Sequence, residues 1–234
     1  MLRAVVFACL LSLTGVARAE TVEVDLELVL LADASGSIDD VEIALQRQGY
    51  ADAMVHPDVL DAVARGGALG RIAVTYVEWA GASSQEVVVD WMVVEDAASA
   101  REFGVRLMAS PRAAYGSNAI GSALLQGLDL IETNTFEGWR KVIDLSADSS
   151  WNPQGPPIDV ARDIVVAAGV VINGLAISCR NCSGRPRAGD LEAEFRENMI
   201  GGPGAFVVTA SDADASFEHA VRRKLILEIA ALAD

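Results

Sequence analysis

Leu26-Glu27-Leu28-Val29-Leu30-Leu31-Ala32 runs directly into Asp33-Ala34-Ser35-Gly36-Ser37, and that join decides the fold. Val24, Leu26, Leu28, Val29, Leu30 and Leu31 put apolar side chains on both sides of an extended chain, as expected of a strand buried on both faces. In open α/β sheets, the turn after such a strand faces the crevice where ligands bind. Here the turn carries one carboxylate and two hydroxyls, a donor set suited to a cation.

Outward from this join, β-branched apolar runs alternate with amphipathic ones. The class predicted is α/β: a doubly wound, mainly parallel sheet with one antiparallel edge strand and helices on both faces. Val41, Ala44, Leu45 and Gln48 recur at helical spacing, so a helix is expected over Ile38–Val55, stopped before His56-Pro57, with a short helix on to Ala64. Arg71–Trp79 and Glu86–Val94 are β-rich. The Gly81-Ala82-Ser83-Ser84 link between them suits a hairpin and is too short for a crossover. Further helices are expected over Ala97–Ala109, Ile120–Glu132 and Ile158–Ala168, and strands over Lys141–Ser146, Val170–Ile177 and Ala205–Thr209. A last helix over Ala213–Leu232 would bury Phe217, Val221, Leu225 and Ile229 as one stripe.

The chain has 234 residues, 52% hydrophobic and 22% charged, which fits one globular domain. Arg3, the apolar Ala4–Leu13 and Ala17-Arg18-Ala19 form the basic, hydrophobic and small-residue parts of a secretory signal. Residues 1–19 are therefore expected to be cleaved, taking Cys9 with them. That leaves a domain over 20–234 in the periplasm or secreted. The apolar core falls short of the roughly 20 residues a spanning helix needs, so no membrane insertion is expected after cleavage. The formal charge of -15 becomes more negative once Arg3 and Arg18 are lost. Such a field repels phosphate backbones, and no basic run with interleaved aromatics offsets it, which argues against nucleic acid.

Catalytic motifs are missing from the sequence. No Gly-x-Ser-x-Gly elbow or Walker loop is present, and no Gly-x-Gly-x-x-Gly follows the first strand. Gly66-Gly67-Ala68-Leu69-Gly70 precedes a strand, the wrong order for phosphate binding, and reads as a turn. No enzymatic activity and no catalytic residue are expected. Trp91, Trp139 and Trp151 read either as ligand surface or as packing, and Trp151 closely follows Asp148.

If Asp33, Ser35 and Ser37 share a cation, hard oxygen donors imply Mg²⁺, with Ca²⁺ or Mn²⁺ as alternatives, rather than zinc. Three groups on one turn cannot complete an octahedron. Two other stretches offer oxygens: Tyr115-Gly116-Ser117-Asn118, ahead of a helix, and Val142-Ile143-Asp144-Leu145-Ser146-Ala147-Asp148, ending a strand. The competing reading makes Asp33 and Ser37 caps of the helix near Ile38, with Asp39, Asp40 and Glu42 as first-turn acids favoured by the helix dipole. Capping by itself requires neither Ser35 nor Asp148.

On these residues the chain resembles the von Willebrand factor A-type domains, whose metal-ion-dependent adhesion site joins Asp-x-Ser-x-Ser, a distant Thr and an Asp ending a later strand. Asp33, Ser35 and Ser37 match the first element, and Asp148 matches the last. Aligning Ile120-Gly121-Ser122-Ala123-Leu124 with the family's helix start puts Asn118 where Thr is expected, with Ser117 beside it. Val170–Ile177 and Ile200–Val207 resemble an exported bacterial branch of these domains. The resemblance implies that the serines bind metal directly and the carboxylates mostly through water or hydrogen bonds. One position would stay open for a carboxylate from a protein partner, giving a metal-dependent, adhesion-type binding module. A scaffold with a degenerate metal site is a third reading, which the departure at Asn118 leaves open.

Cys179-Arg180-Asn181-Cys182 has the spacing of a redox dithiol or half a zinc site. The following Ser183-Gly184-Arg185-Pro186-Arg187 reads as loop, whereas a reactive dithiol wants a helix start, so a structural disulfide between Cys179 and Cys182 is expected. Zinc lacks a second pair, since His56 and His219 are far away in sequence. The rival function is an exported thiol-disulfide oxidoreductase using these two cysteines.

Overall fold

β1 (Val22–Asp33), β2 (Ile72–Trp79), β3 (Gln85–Val94), β4 (Phe136–Ala147), β5 (Val171–Ile177) and β6 (Val207–Ala210) form one sheet ordered β3-β2-β1-β4-β5-β6. The computed structural model describes residues 21–178, 189–211 and 217–230. The segment 1–19, Cys179 and Cys182, on which the signal and disulfide expectations fall, lie outside the described residues. Every neighbouring pair of strands is parallel except β2–β3, the hairpin closed by the short connection Ala80–Ser84. This is the predicted class.

The helices are α1 (Asp40–Met54), α2 (Pro57–Arg65), α3 (Ala97–Ala109), α4 (Ile120–Thr133), α5 (Ile158–Ala167), α6 (Leu191–Glu194) and α7 (Phe217–Ala230); α6 continues as a π-helical turn, Phe195–Met199. Strand periodicity divides β1 between two cores. Leu26, Leu28 and Leu30 pack with Tyr50, Met54, Val63, Phe103, Val221 and Leu225 from α1, α2, α3 and α7. Val29 and Leu31 pack with Ile120, Leu124, Val165, Phe195 and Met199 from α4, α5 and the π turn. Helices therefore cover both faces, and β1 lies in the middle of the sheet.

Several expected boundaries shift for physical reasons. β4 begins at Phe136 rather than Lys141, because its first half pairs with the start of β1, Val22↔Phe136 through Leu26↔Arg140. α1 buries a different face from the one its apolar spacing suggested: Val41 is 68% and Leu45 53% exposed, while Glu42, Gln46 and Arg47 are buried. Each of those polar residues has a buried task described below, which overrides the apolar pattern. The turn over Leu191–Met199 went unforeseen, although Leu191, Phe195 and Met199 recur every fourth residue and are all buried.

The stretch from Gly66 to Gly70 is a turn, as expected, and it wraps a carboxylate. Asp25 accepts from the amides of Leu69 at 2.9 Å and Arg71 at 3.2 Å. A Cβ on Gly67 would stand 2.1 Å from Asp25 Cγ, so only glycine passes there. On α7 the expected stripe is buried at Val221, Leu225 and Ile229, with Phe217 partly covered. Lys224 and Glu228 are buried beside it. Lys224 Nζ pairs with Asp144 Oδ1 at 2.6 Å and Glu228 Oε1 at 2.5 Å, and Asn173 Nδ2 donates to Glu228 Oε1 at 3.2 Å.

Candidate metal centre

The carboxyl ends of β1, β2 and β4 meet at one edge of the molecule, and four loops converge above them. Ala34 N donates to Trp79 O at 2.9 Å, and Gly36 N to Gly116 O at 2.8 Å. Tyr115 N donates to Ser84 Oγ at 3.0 Å, Ala82 N to Gln154 Oε1 at 3.2 Å, and Gly121 N to Asn152 Oδ1 at 3.3 Å. Beneath them Ala34, Ile38, Ile43, Ala80 and Ala114 form a small apolar cluster. The loops are thus packed and hydrogen-bonded to one another rather than free.

Asp33 ends β1 and is fully buried, as is Ser35. Ser35 N donates to Asp33 Oδ1 at 2.8 Å, and the hydroxyls of Ser35 and Ser37 stand 3.2 Å apart. Asp148 arrives from the end of β4, where its amide donates to Asp33 Oδ2 at 3.4 Å. The structure therefore brings Asp33, Ser35, Ser37 and Asp148 together across 115 positions of chain. Ser117 is half-buried and Asn118 buried. Both follow Gly116, which is bonded to the turn, so the middle loop is docked at the same place.

The turn does not cap α1. Asp39 does: its carboxylate accepts from the amides of Val41 and Glu42, and Glu42 returns a bond to Asp39 N at 2.8 Å. This closed capping box starts the helix at Asp40, two residues later than expected. Of the three acids read as first-turn dipole partners, Asp39 is in fact the cap, and Asp33 and Ser37 are released for another task. Gln46 on α1 reaches back to hold Asp33 O at 3.1 Å. Ser146 Oγ accepts from Asp33 N at 3.4 Å, and Trp79 Nε1 donates to Ser146 O at 3.3 Å.

Burial first, and the neighbouring charge of Asp148 second, push the Asp33 carboxyl from 3.8 up to about 7. Two carboxylates pressed together in a dry turn repel, and a cation is the complement that removes the repulsion. The donors that meet are hydroxyls, carboxylates and a nearby amide, which fits a hard divalent ion. Among the described residues no group of three or more His, Cys, Asp and Glu could hold a metal. A site here relies on hydroxyl oxygens.

Sequence reasoning missed Gln46, Arg47, Glu78 and Arg112. Glu78, fully buried on β2, accepts from Arg47 Nε at 2.9 Å and Nη2 at 2.6 Å, and from Ala113 N at 2.7 Å. Arg47 also donates to Leu107 O, Ser110 O and Pro111 O. The segment leading to Ser117 is therefore rooted in the core by a buried ion pair. Trp151 is 64% and Tyr115 61% exposed beside the site, Trp139 is 65% exposed elsewhere, and Trp91 packs against Phe136.

A family model described as a protein of unknown function, DUF1194, matches residues 23–233. The chain belongs to the DUF1194 family. No curated protein matches it. Among solved structures, this DUF1194 chain is similar to the pilus adhesin SpaC from Lactobacillus rhamnosus GG in its open conformation: 15% identity, TM-score 0.60, covering 88% of this chain and 30% of that one. It is similar to the SpRpn10 VWA domain at 10% identity and TM-score 0.59, covering 90% and 100%. It is also similar to proximal thread matrix protein 1 from the mussel byssus with a zinc-occupied MIDAS motif, at 16% identity and TM-score 0.56, covering 87% and 45%. The chain spans less than half the length of the mussel and SpaC chains. At these identities the likeness is one of fold: this DUF1194 domain has the von Willebrand factor A architecture.

Proposed function

We propose that this protein is an exported, non-enzymatic binding module whose metal-dependent site receives an acidic oxygen from a protein partner. The observation that carries the reading is the meeting of Asp33, Ser35, Ser37 and Asp148 at the carboxyl ends of β1 and β4, with helix capping assigned elsewhere. Ser35 and Ser37 would hold the ion directly, Asn118 or Ser117 would add a neutral oxygen, and Asp33 and Asp148 would supply charge. A bound divalent cation, Mg²⁺ first and Ca²⁺ or Mn²⁺ next, supplies an open coordination position for an incoming carboxylate. Tyr115 and Trp151 are exposed on the loops bordering the turn and offer apolar contact around it. The adhesin and metal-bearing structures of the same architecture support the reading, as does the basic, apolar and small-residue start of the chain for export.

Metal-linked melting tests this. Addition of Mg²⁺ or Mn²⁺ to chelated protein is expected to raise the melting temperature, by about 2.7 kcal/mol of added stability at a hundred times Kd. Asp33→Ala and Asp148→Ala are expected to lose that rise with an unchanged circular dichroism spectrum. A metal response that survives in both variants, or is absent from the unaltered protein, overturns the site.

A further inference from the structure

Arg112 lies between the two loops that carry the candidate ligands. Its Nη2 donates to Ala34 O at 2.6 Å and to Ser35 O at 3.4 Å, its Nη1 to Asp40 Oδ1 at 3.0 Å, and its Nε to Ala114 O at 3.2 Å. The guanidinium carbon also stands 4.9 Å from the centroid of the Tyr115 ring. Only 13% of the side chain is exposed. None of these bonds goes to Asp33 or Asp148. Two of them grip peptide carbonyls inside the stretch Asp33–Ser37, one grips the start of α1, and one folds back on the loop from which Arg112 itself projects.

We infer that Arg112 is a positioning residue of the metal centre, clamping the Asp33–Ser37 turn to the Arg112–Ala114 segment that leads into the Gly116–Asn118 loop, so that both deliver their oxygens to one place. The inference rests on the metal reading above. Among the described residues, the direct backbone link between these two segments is the single bond from Gly36 N to Gly116 O. A site assembled from separate loops incurs an ordering cost when the ion arrives unless something has already fixed their relation. Arg112 does so through four hydrogen bonds from one rigid group, and by holding Ala34 O and Ser35 O it fixes the two peptide planes that flank Ser35. A lysine could not replace it, because one ammonium cannot span carbonyls and a carboxylate in different directions at once. The root of the loop is held separately by Arg47 and Glu78. Partners that orient first ligands in this way typically contribute roughly 10- to 100-fold in metal affinity.

The test compares Mn²⁺ affinity with stability in chelator, for the full chain and for Arg112→Ala, Arg112→Lys, Asp33→Ala and Arg140→Ala. Arg140 is a matched control at the other end of β4, where it donates to Glu228 O and Ile229 O at 2.6 and 2.8 Å. Arg112→Ala is expected to weaken Mn²⁺ binding by about 10-fold or more, with stoichiometry unchanged. Arg112→Lys should recover less than half of that loss on a logarithmic scale. Arg140→Ala should lower the melting temperature in chelator while keeping the unaltered Mn²⁺ affinity. Wild-type affinity in Arg112→Ala, alongside lost binding in Asp33→Ala, overturns the role of Arg112 alone. Equal weakening in Arg140→Ala shows that general destabilisation is the cause and also overturns it. No Mn²⁺ binding by the unaltered protein overturns the metal reading, and this inference with it. Should Arg112→Ala fail to fold, Arg112→Lys decides between these outcomes on the same scale.

Discussion

Asp33 and Asp39 are two acids six positions apart with different tasks, and their separation is testable. Asp39 closes a capping box with Glu42, whereas Asp33 accepts from Ser35 and Asp148 at the foot of the ligand turn. Asp39→Ala is expected to cost about 1 kcal/mol in urea denaturation, the usual loss for a capping side chain, and to leave Mn²⁺ affinity within about twofold. A loss of metal binding in Asp39→Ala would place that residue in the centre instead. At this scale the sequence is readable where chemistry is contiguous. Asp33, Ser35 and Ser37 stand on one turn, and Asp148 is marked by the end of an apolar strand. Arg112 and Gln46 were not readable, because their roles depend on which distant carbonyls face them, and no local spacing encodes that.

Among the elements, α7 shows how buried charge can hide within an amphipathic pattern. Its apolar stripe is legible, but Lys224 and Glu228 look like solvent-facing residues until Asp144 on β4 and Asn173 on β5 are placed opposite them. Burial raises the carboxyl pKa of Asp144, and Lys224 opposes that shift. Removing the lysine leaves two carboxyls facing each other without their cation. Lys224→Met is expected to cost about 3–5 kcal/mol, as for other broken buried ion pairs. Adding Asp144→Asn and Glu228→Gln should restore much of the stability, since the uncompensated charge is then gone. Equal stability of Lys224→Met and the unaltered chain by denaturant titration would contradict this. The mistaken face of α1 has a similar origin. Glu42, Gln46 and Arg47 are held inside by specific partners, so Val41 and Leu45 are left to water.

For the whole molecule, Asp33 and Glu228 join Asp144 as buried carboxyls with raised pKa, and together they bias the pH dependence of stability. Burial is the first cause in each, raising Asp33 from 3.8 and Glu228 from 4.5 to about 7. Between those values the folded protein keeps protons that the unfolded chain has released. It binds more protons, so stability falls as pH rises from about 4 through 7. Asp96 and Glu192 act oppositely. Hydrogen bonds from Ser99 and Thr209 respectively lower them, so their contribution is lost as pH falls through the acid range. In chelator the melting temperature is expected to be higher at about pH 5 than at about pH 7.5, with Glu228→Gln flattening part of the slope. A profile that rises between those two pH values would contradict the burial argument. The acidic balance of the chain, -15 overall, acts in the same direction through self-repulsion.

The position of β1 has a consequence for how the molecule comes together. This strand precedes the other five described strands in the chain, yet one of its two partners, β4, begins only at Phe136. Until more than a hundred further residues have emerged, Leu26–Ala32 is a sticky ribbon with one flank open, and such distant pairings close slowly. The delay keeps the early chain without one of its native strand partners. It also makes self-association during biogenesis, more than instability of the finished domain, the hazard against which a holding chaperone would act.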